Sequence, residues 1–449
     1  MELQQGIFLR VPGSDTRLLQ PRKAHMTFKT LTLVSLITIG LVSIGLIAQQ
    51  AATEAPAGFD TPTLQSQNAG SQSSSNGIHE PPGDTFTRDQ QIFEKREDAS
   101  LGLGPVFNAT SCSECHQNPV SGGASQITEI RVGHRDDNGN FVNPTVSIHG
   151  GTVSGRSLIN DRAICPDAQE HVPDAEPIRT LRAVLSTLGD GFVEAIDDNA
   201  LIDIANRQPD LSGGAIHGEA IQVPILEAPG QTRIGRFGWK DQHGSLLSFT
   251  ADAYLNEMGI TSRLKPADMT SVCKMTADPE DTPDELGMAN IDHFAQFMRG
   301  TKAPPRDLTV AATSDAQAGQ RIFENIGCSI CHVESITTAP VGTVLNGGTF
   351  TVPDALGNKI IHPFSDFLLH DVGTGDGIVQ AGPQDTAPKL RTVPLWGLRM
   401  KARFMHDLAS LTMEAAIFRH AGEARQIERR FRGLTTSEKQ QLIAFLNSL

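Results

Sequence analysis

The sequence predicts a mainly α protein built from two related modules, with loop-rich and short β-hairpin insertions. Three observations lead there. DQQIFEKRE (89–97) returns as AGQRIFENIG (318–327), an internal repeat. Each copy leads into the same signature, Cys112-Ser-Glu-Cys115-His116 and then Cys328-Ser-Ile-Cys331-His332. About 60 residues after each signature comes a second matched stretch, IRTLRAVLSTLGDGFVEAI (178–196) and LRTVPLWGLRMKARFMHDL (390–408).

Taken in order, the chain opens with a leader at residues 1–50. Leu31 to Ala48 is an uncharged, mostly apolar run preceded by Arg17, Arg22, Lys23 and Lys29, the layout of a signal peptide. The run is also long enough to span a bilayer, so the alternative is an uncleaved anchor. Counted from Met26 the leader has ordinary proportions, which suggests translation from that codon. Either reading puts the body outside the cytoplasm, in the periplasm. Residues 51–85, rich in Ser, Gln, Pro and Gly, read as a flexible tether. A first module follows at 86–305, with an insertion, and a second at 306–449.

Gln91 to Phe93 and Arg321 to Phe323 fit short amphipathic helices ahead of the two signatures. Residues 411–421 and 437–449 carry helical spacing, with Thr435 and Glu438 as a capping box for the last helix. ITEIRVGHRDDNGNFV (127–142) predicts a hairpin turning at Asn138-Gly139, and GTFTVPDALGNKIIHP (348–363) a second.

The CxxCH signature carries a specific chemistry. Covalent haem c needs two thiols at fixed separation, one for each vinyl group, and an adjacent imidazole for the iron. With six cysteines and fourteen histidines in 449 residues, about 0.002 chance matches are expected, against two found. A thioredoxin-like pair would want a βαβ context, and a shared zinc would need both modules to converge on one ion. Two covalent haems are therefore predicted, on Cys112, Cys115 and His116 and on Cys328, Cys331 and His332. Cys165 and Cys273 remain, as a structural disulfide or as a redox-active pair. A net charge of −14 argues against nucleic acid as a partner.

The second axial position of each iron decides between electron transfer and small-molecule chemistry. For the second haem the candidates are His406, Met405 and His420, in RFMHDLASLTMEAAIFRHAGEA (403–424); His420, late on a predicted helix, fits best. For the first, His134 and His149 are within reach by spacing. Glu194, in GDGFVEAI, is the candidate acid–base residue by its place in the repeat. Trp239 and Trp396, the two tryptophans, are either core or an electron relay. His370 and Asp371 either shape a loop near the second haem or turn the chain.

Paired CxxCH modules resemble the bacterial di-haem cytochrome c peroxidases and the methylamine-utilisation di-haem enzyme. The phrases SCSECHQNPVSGGASQITEIRVGH, GRSLINDRAICPDAQE, GRFGWKDQHGSLLSFTADAYLNEMGITS, HPFSDFLLHDVGTGDG and RFMHDLASLTMEAAIFRHAGEA are more similar to the di-haem oxidoreductase family, also described as thiol oxidoreductases. The resemblance implies two cytochrome-c-like haem domains. It implies a catalytic first haem that meets peroxide, and a second haem fed by a small cytochrome or copper protein (a cupredoxin). His420 in the distal position would give bis-histidine coordination. The resemblance also implies calcium between the modules, although no EF-hand pattern is present. Two rival readings stay open: an electron carrier without a substrate, and an oxidase of thiols or protein side chains. Oligomeric state is not legible.

Overall fold

A one-turn α-helix and a 3-10 turn carry the two signatures, and helices alternate with short strands between and beyond them. The computed structural model describes residues 51–58, 83–274 and 281–449. The predicted leader, its anchor alternative and most of the predicted tether lie outside these residues. No helix among the described residues is long and apolar enough to cross a membrane.

In the first half, α1 (Phe86–Glu94) starts where the Thr85 side chain accepts the Arg88 N–H, a cap that satisfies a free helix-end donor. The one-turn α2 (Cys112–Cys115) is the first CxxC itself, capped by Ser111. Then come α3 (Asp190–Glu194), α4 (Asp198–Ser212), α5 (Leu246–Met258) and α6 (Asn290–Gly300). In the second half, α7 (Leu308–Ala311) leads into α8 (Ser314–Ile326). Gly327, at φ +98°, ends α8 in the left-handed region and turns the chain into Cys328. Past the second signature lie α9 (Met413–Phe418), α10 (Arg425–Gly433) and α11 (Thr436–Leu446). The capping box read from Thr435 and Glu438 is present.

The mainly α expectation is wrong. Among the described residues 33% are helical and 17% lie in strands or bridges, spread over many small sheets. The runs at 128–183 and 336–391 are short and cut by glycine and proline. They cannot sustain a helical face, so their backbone groups are satisfied by pairing. The strand Thr128–Arg135 shows this best. It makes the predicted hairpin with Phe141–Val142, His134 opposite Val142, and also pairs with Leu158–Ile159 and along six residues with Ile178–Ala183. Residues 348–363 do not form their predicted hairpin. Phe350–Thr351 pairs with Val344–Leu345, whereas Lys359–Ile361 pairs with Ile336–Thr337 and with Thr53–Glu54. Val352, Ala355 and Leu356 between them are buried in the core, so the chain fills volume there instead of turning back. The strand Thr53–Glu54 also shows that the start of the expected tether is paired.

One large apolar core joins the halves. It gathers Phe93, Phe294 and Phe297 with Ile336, Phe350, Ile361 and Trp396. A second core belongs to the carboxy-terminal half and centres on Phe323, Phe431 and Phe445. There α8 crosses α11 so closely that a Cβ on Gly319 would meet the Gln441 carbonyl oxygen at 1.9 Å, which only glycine permits.

Candidate functional site

Around the second signature a cavity of about 700 Å³ opens, within the range of pockets that hold a cofactor. Cys328, Cys331 and His332 line it, and so do Met405, His406 and His420. His332 Nδ1 donates to the Phe364 carbonyl at 3.1 Å, and His420 Nδ1 to the Ala416 carbonyl at 2.9 Å. An imidazole fixed through Nδ1 keeps Nε2 free for a metal. Burial pushes His332 down to about 4, with the neighbouring His420 adding to the shift, and burial lowers His420 as well. Both rings are therefore neutral at pH 7, the form that ligates iron. Burial also holds the Cys328 thiol up at about 12. A thiol that does not ionise is no redox nucleophile.

His370 lines the same cavity in a different role. Its Nε2 bonds Asp366 Oδ2 and its Nδ1 bonds Glu423 Oε2, each at 2.8 Å. Burial works against its charge, but the Asp366 carboxylate outweighs burial and carries the ring well above the ordinary histidine range. It is an anchored imidazolium beside Cys331, not a ligand. Trp239 and Trp396 both line the cavity, and Trp239 Nε1 donates to the Ala183 carbonyl at 2.8 Å. Residues 183–186 and Asn118 to Gln126, the segment just past His116, complete the wall, so the first half helps to enclose the second site.

At the first signature, burial holds Cys112 and Cys115 up at about 12 and His116 down at about 4. His116 Nδ1 is buried without a hydrogen-bond partner, and its ring packs 6.2 Å from Phe93. After burial, the charges acting on Cys115 are those of Glu257 of α5, then Glu114 and Arg162, then Glu129 of the long strand. Glu129 Oε1 accepts from Arg131 Nε at 2.6 Å, and Glu257 Oε2 from Asn108 Nδ2 at 2.8 Å. Burial opposes the charge on Glu129, yet Arg131 holds it below the usual range. Burial and the Glu129 charge push Glu257 well above it. One carboxylate is thus ionised and its partner carries a proton, the polarised pair that acid–base work requires.

The other expected residues lie elsewhere. Glu194 is fully buried, bonded through Oε2 to Arg299 Nε at 2.7 Å and through Oε1 to Leu246 N and Asn346 Nδ2, each at 2.9 Å. Burial would raise it, but Arg299 holds it ionised. It ties α3 to α5 and α6. His134 pairs with Glu176 at 2.9 Å. It stands five residues beyond Glu129 on the same strand, about 16 Å away and on the opposite face. His149 is exposed beside Asp167. Cys165 and Cys273 are joined in a disulfide with Cα atoms 6.4 Å apart. Sequence reasoning missed Glu129 and Glu257; the run Glu129-Ile130-Arg131 alternates charge and apolar residue, but nothing local says that Glu257 meets it.

The family model described as "Di-haem oxidoreductase, putative peroxidase" matches residues 174–449, more than half of the chain. The chain belongs to the di-haem oxidoreductase family. Its cofactors are two haems. The residues present fit them: each signature offers two neutral thiols and a neutral, buried imidazole, and at the second a sufficient cavity is open. Similar solved structures include the hydrazine synthase of Kuenenia stuttgartiensis, at 13% identity over 97% of this chain and 100% of that one, with a TM-score of 0.37. A MauG-like protein associated with microbial copper homeostasis is 16% identical over 57% and 91%, with a TM-score of 0.29. The diheme peroxidase BthA of Burkholderia thailandensis is 14% identical over 68% and 93%, with a TM-score of 0.28. No curated protein matches.

Proposed function

We propose that this di-haem oxidoreductase is a periplasmic peroxidase with both haems held as haem c. In this reading it takes electrons from a small cytochrome or cupredoxin at the Cys328/Cys331 side and reduces hydrogen peroxide at the Cys112/Cys115 side. The observation that carries it is the asymmetry of the two sites. The second presents two anchored imidazoles, His332 and His420, which suits a closed centre that only passes electrons. The first presents a polarised carboxyl pair.

Bound haem supplies the iron on which peroxide is reduced. The protein supplies protons and order. Reducing one peroxide to two waters consumes two electrons and two protons, and one proton must reach the departing oxygen as the O–O bond breaks. Glu257 holds such a proton. Glu129, ionised against Arg131, is placed to accept and return it. Asn108 fixes the Glu257 carboxyl in orientation. The test is to reduce the purified protein halfway, record its visible spectrum and add peroxide. A high-spin haem that reacts at once supports the proposal. Two low-spin haems inert to peroxide would make the protein an electron carrier.

A further inference from the structure

A second cluster of ligand-type side chains lies away from both signatures, where α1 meets α6. Asp84, Asp89 and His293 each place one ligand-type atom within 4.8 Å of the other two. His293 Nδ1 is 2.6 Å from Asp89 Oδ1 and 3.7 Å from Asp84 Oδ1. The side chains of Asp84 and Asp89 are fully buried and that of His293 is 1% exposed. Both oxygens of Asp84, and Oδ2 of Asp89, accept no hydrogen bond. Burial works against a charge on His293, but its hydrogen bonds to Asp89 and Asp284 hold the ring above the ordinary histidine range; one positive charge thus faces two buried carboxylates with three unbonded oxygens, a shortfall that a bound cation would make good.

We propose that Asp84, Asp89 and His293 bind one divalent cation of the zinc class. Ligand atoms 2.0–2.1 Å from a tetrahedral ion sit about 3.4 Å apart, so binding would open the 2.6 Å His293–Asp89 hydrogen bond and draw in the 3.7 Å His293–Asp84 separation, each by less than about 1 Å. The far side of the ring fits as well. His293 Nε2 donates to Asp284 Oδ2 at 3.0 Å, and Arg88 holds Asp284 at 2.6 Å. A carboxylate on the second nitrogen is how proteins orient a metal-bound imidazole. The ion would displace the proton that His293 Nδ1 donates to Asp89, leaving two carboxylates and a neutral imidazole to balance a charge of +2. The nitrogen donor separates this site from a calcium site, which takes oxygen ligands alone.

The internal repeat supplies an independent argument. The Phe93 and Phe297 rings meet at a tilt with centroids 4.5 Å apart, as Phe323 and Phe445 do at 5.2 Å. Stepping back four residues on each helix aligns Asp89 with Gly319 and His293 with Gln441. The second module closes that crossing by bare backbone contact. The first has an acid and an imidazole at the same two positions, with Asp84 and Asp284 added from loops. The bound ion would take over the role of the glycine contact and clamp the helix that leads to Cys112.

The test uses the holoprotein, stripped with EDTA and dialysed, then titrated calorimetrically with ZnCl₂ and in parallel with CaCl₂. The expected result is one zinc per chain, a higher melting temperature on loading, and at least a tenfold affinity loss in Asp84→Asn. That variant keeps the size of the buried group, and its Soret band and far-UV spectrum verify folding. His293→Gln, checked in the same way, should also lose the ion. No stoichiometric zinc in the wild type, unchanged zinc affinity in folded Asp84→Asn, or calcium taking the site in place of zinc would each overturn the proposal.

Discussion

Glu257→Gln isolates the proton-donating role. The replacement keeps an oxygen for Asn108 Nδ2, which now donates to Glu257 at 2.8 Å, and its amide N–H can face the ionised Glu129. The static bonding is thus retained, and only the transferable proton is lost. A positioned acid contributes about 10²–10⁴ in rate, or roughly 3–5 kcal/mol of barrier at 1.36 kcal/mol per decade. The expected result is that peroxide consumption by half-reduced protein, followed by stopped flow, falls by about a hundredfold or more with the haem spectrum unchanged. The pH profile gives a second readout. Wild-type rate should fall as pH rises through the raised Glu257 pKa, because the acid is then spent, and the variant should lose that limb. Stability follows the same sign. Between the unfolded carboxyl pKa and the raised folded one, the native state binds more protons, so stability declines as pH rises through that window. A Glu257→Gln protein that consumes peroxide within twofold of wild type would refute the assignment.

His420→Ala should turn the second haem from low to high spin while the mass of the protein still includes both haems; an unchanged spectrum would assign the ligand elsewhere. Glu194→Gln removes the buried carboxylate that holds Arg299 and should cost about 3 kcal/mol in chemical denaturation. The peroxide rate per folded molecule should hold, and a specific loss of rate would restore Glu194 as a catalytic group. Replacing both Cys165 and Cys273 by alanine opens a link of 108 residues, worth up to about 4.7 kcal/mol in the chain-entropy view. Melting temperature should drop, whereas turnover of peroxide and of thiols should not change; a selective loss of thiol turnover would revive the thiol-oxidase reading.

What the sequence disclosed was local or repeated. The signatures, the Thr435–Glu438 box, the helices before each signature and the hairpin after Thr128–Arg135 are all set within a few residues, and all are present, although the turn centres on Asp137-Asn138, one residue before the expected Asn138-Gly139. His420, which lines the cavity beside His332, could be named as a candidate because its distance from His332 and its helix can be read along the chain. What was missed depends on encounters between distant segments. Glu129 and Glu257 lie on a strand and a helix 128 positions apart. Glu194 looked catalytic from its place in the repeat, but Arg299 and Asn346, which fix its role, come from other segments. The strand content was underestimated for the same reason. Ile178–Ala183 acquires its structure by lying beside Thr128–Arg135, and its own residues do not demand it. The contrast between Gly319 and Asp89 was visible in the repeat, though its meaning required seeing what each one touches.

The shared interior has a consequence for how the molecule is assembled. Ile336, Phe350 and Ile361 are wedged among the phenylalanines of α1 and α6, so a chain emerging from its amino terminus cannot seal that interior until more than two hundred further residues have followed. Under the proposed covalent attachment, Cys112 and Cys115 would in the meantime stay within reach of an enzyme that links a porphyrin to them. Late closure therefore works as a waiting period, during which the cofactor can be installed before the door shuts behind it.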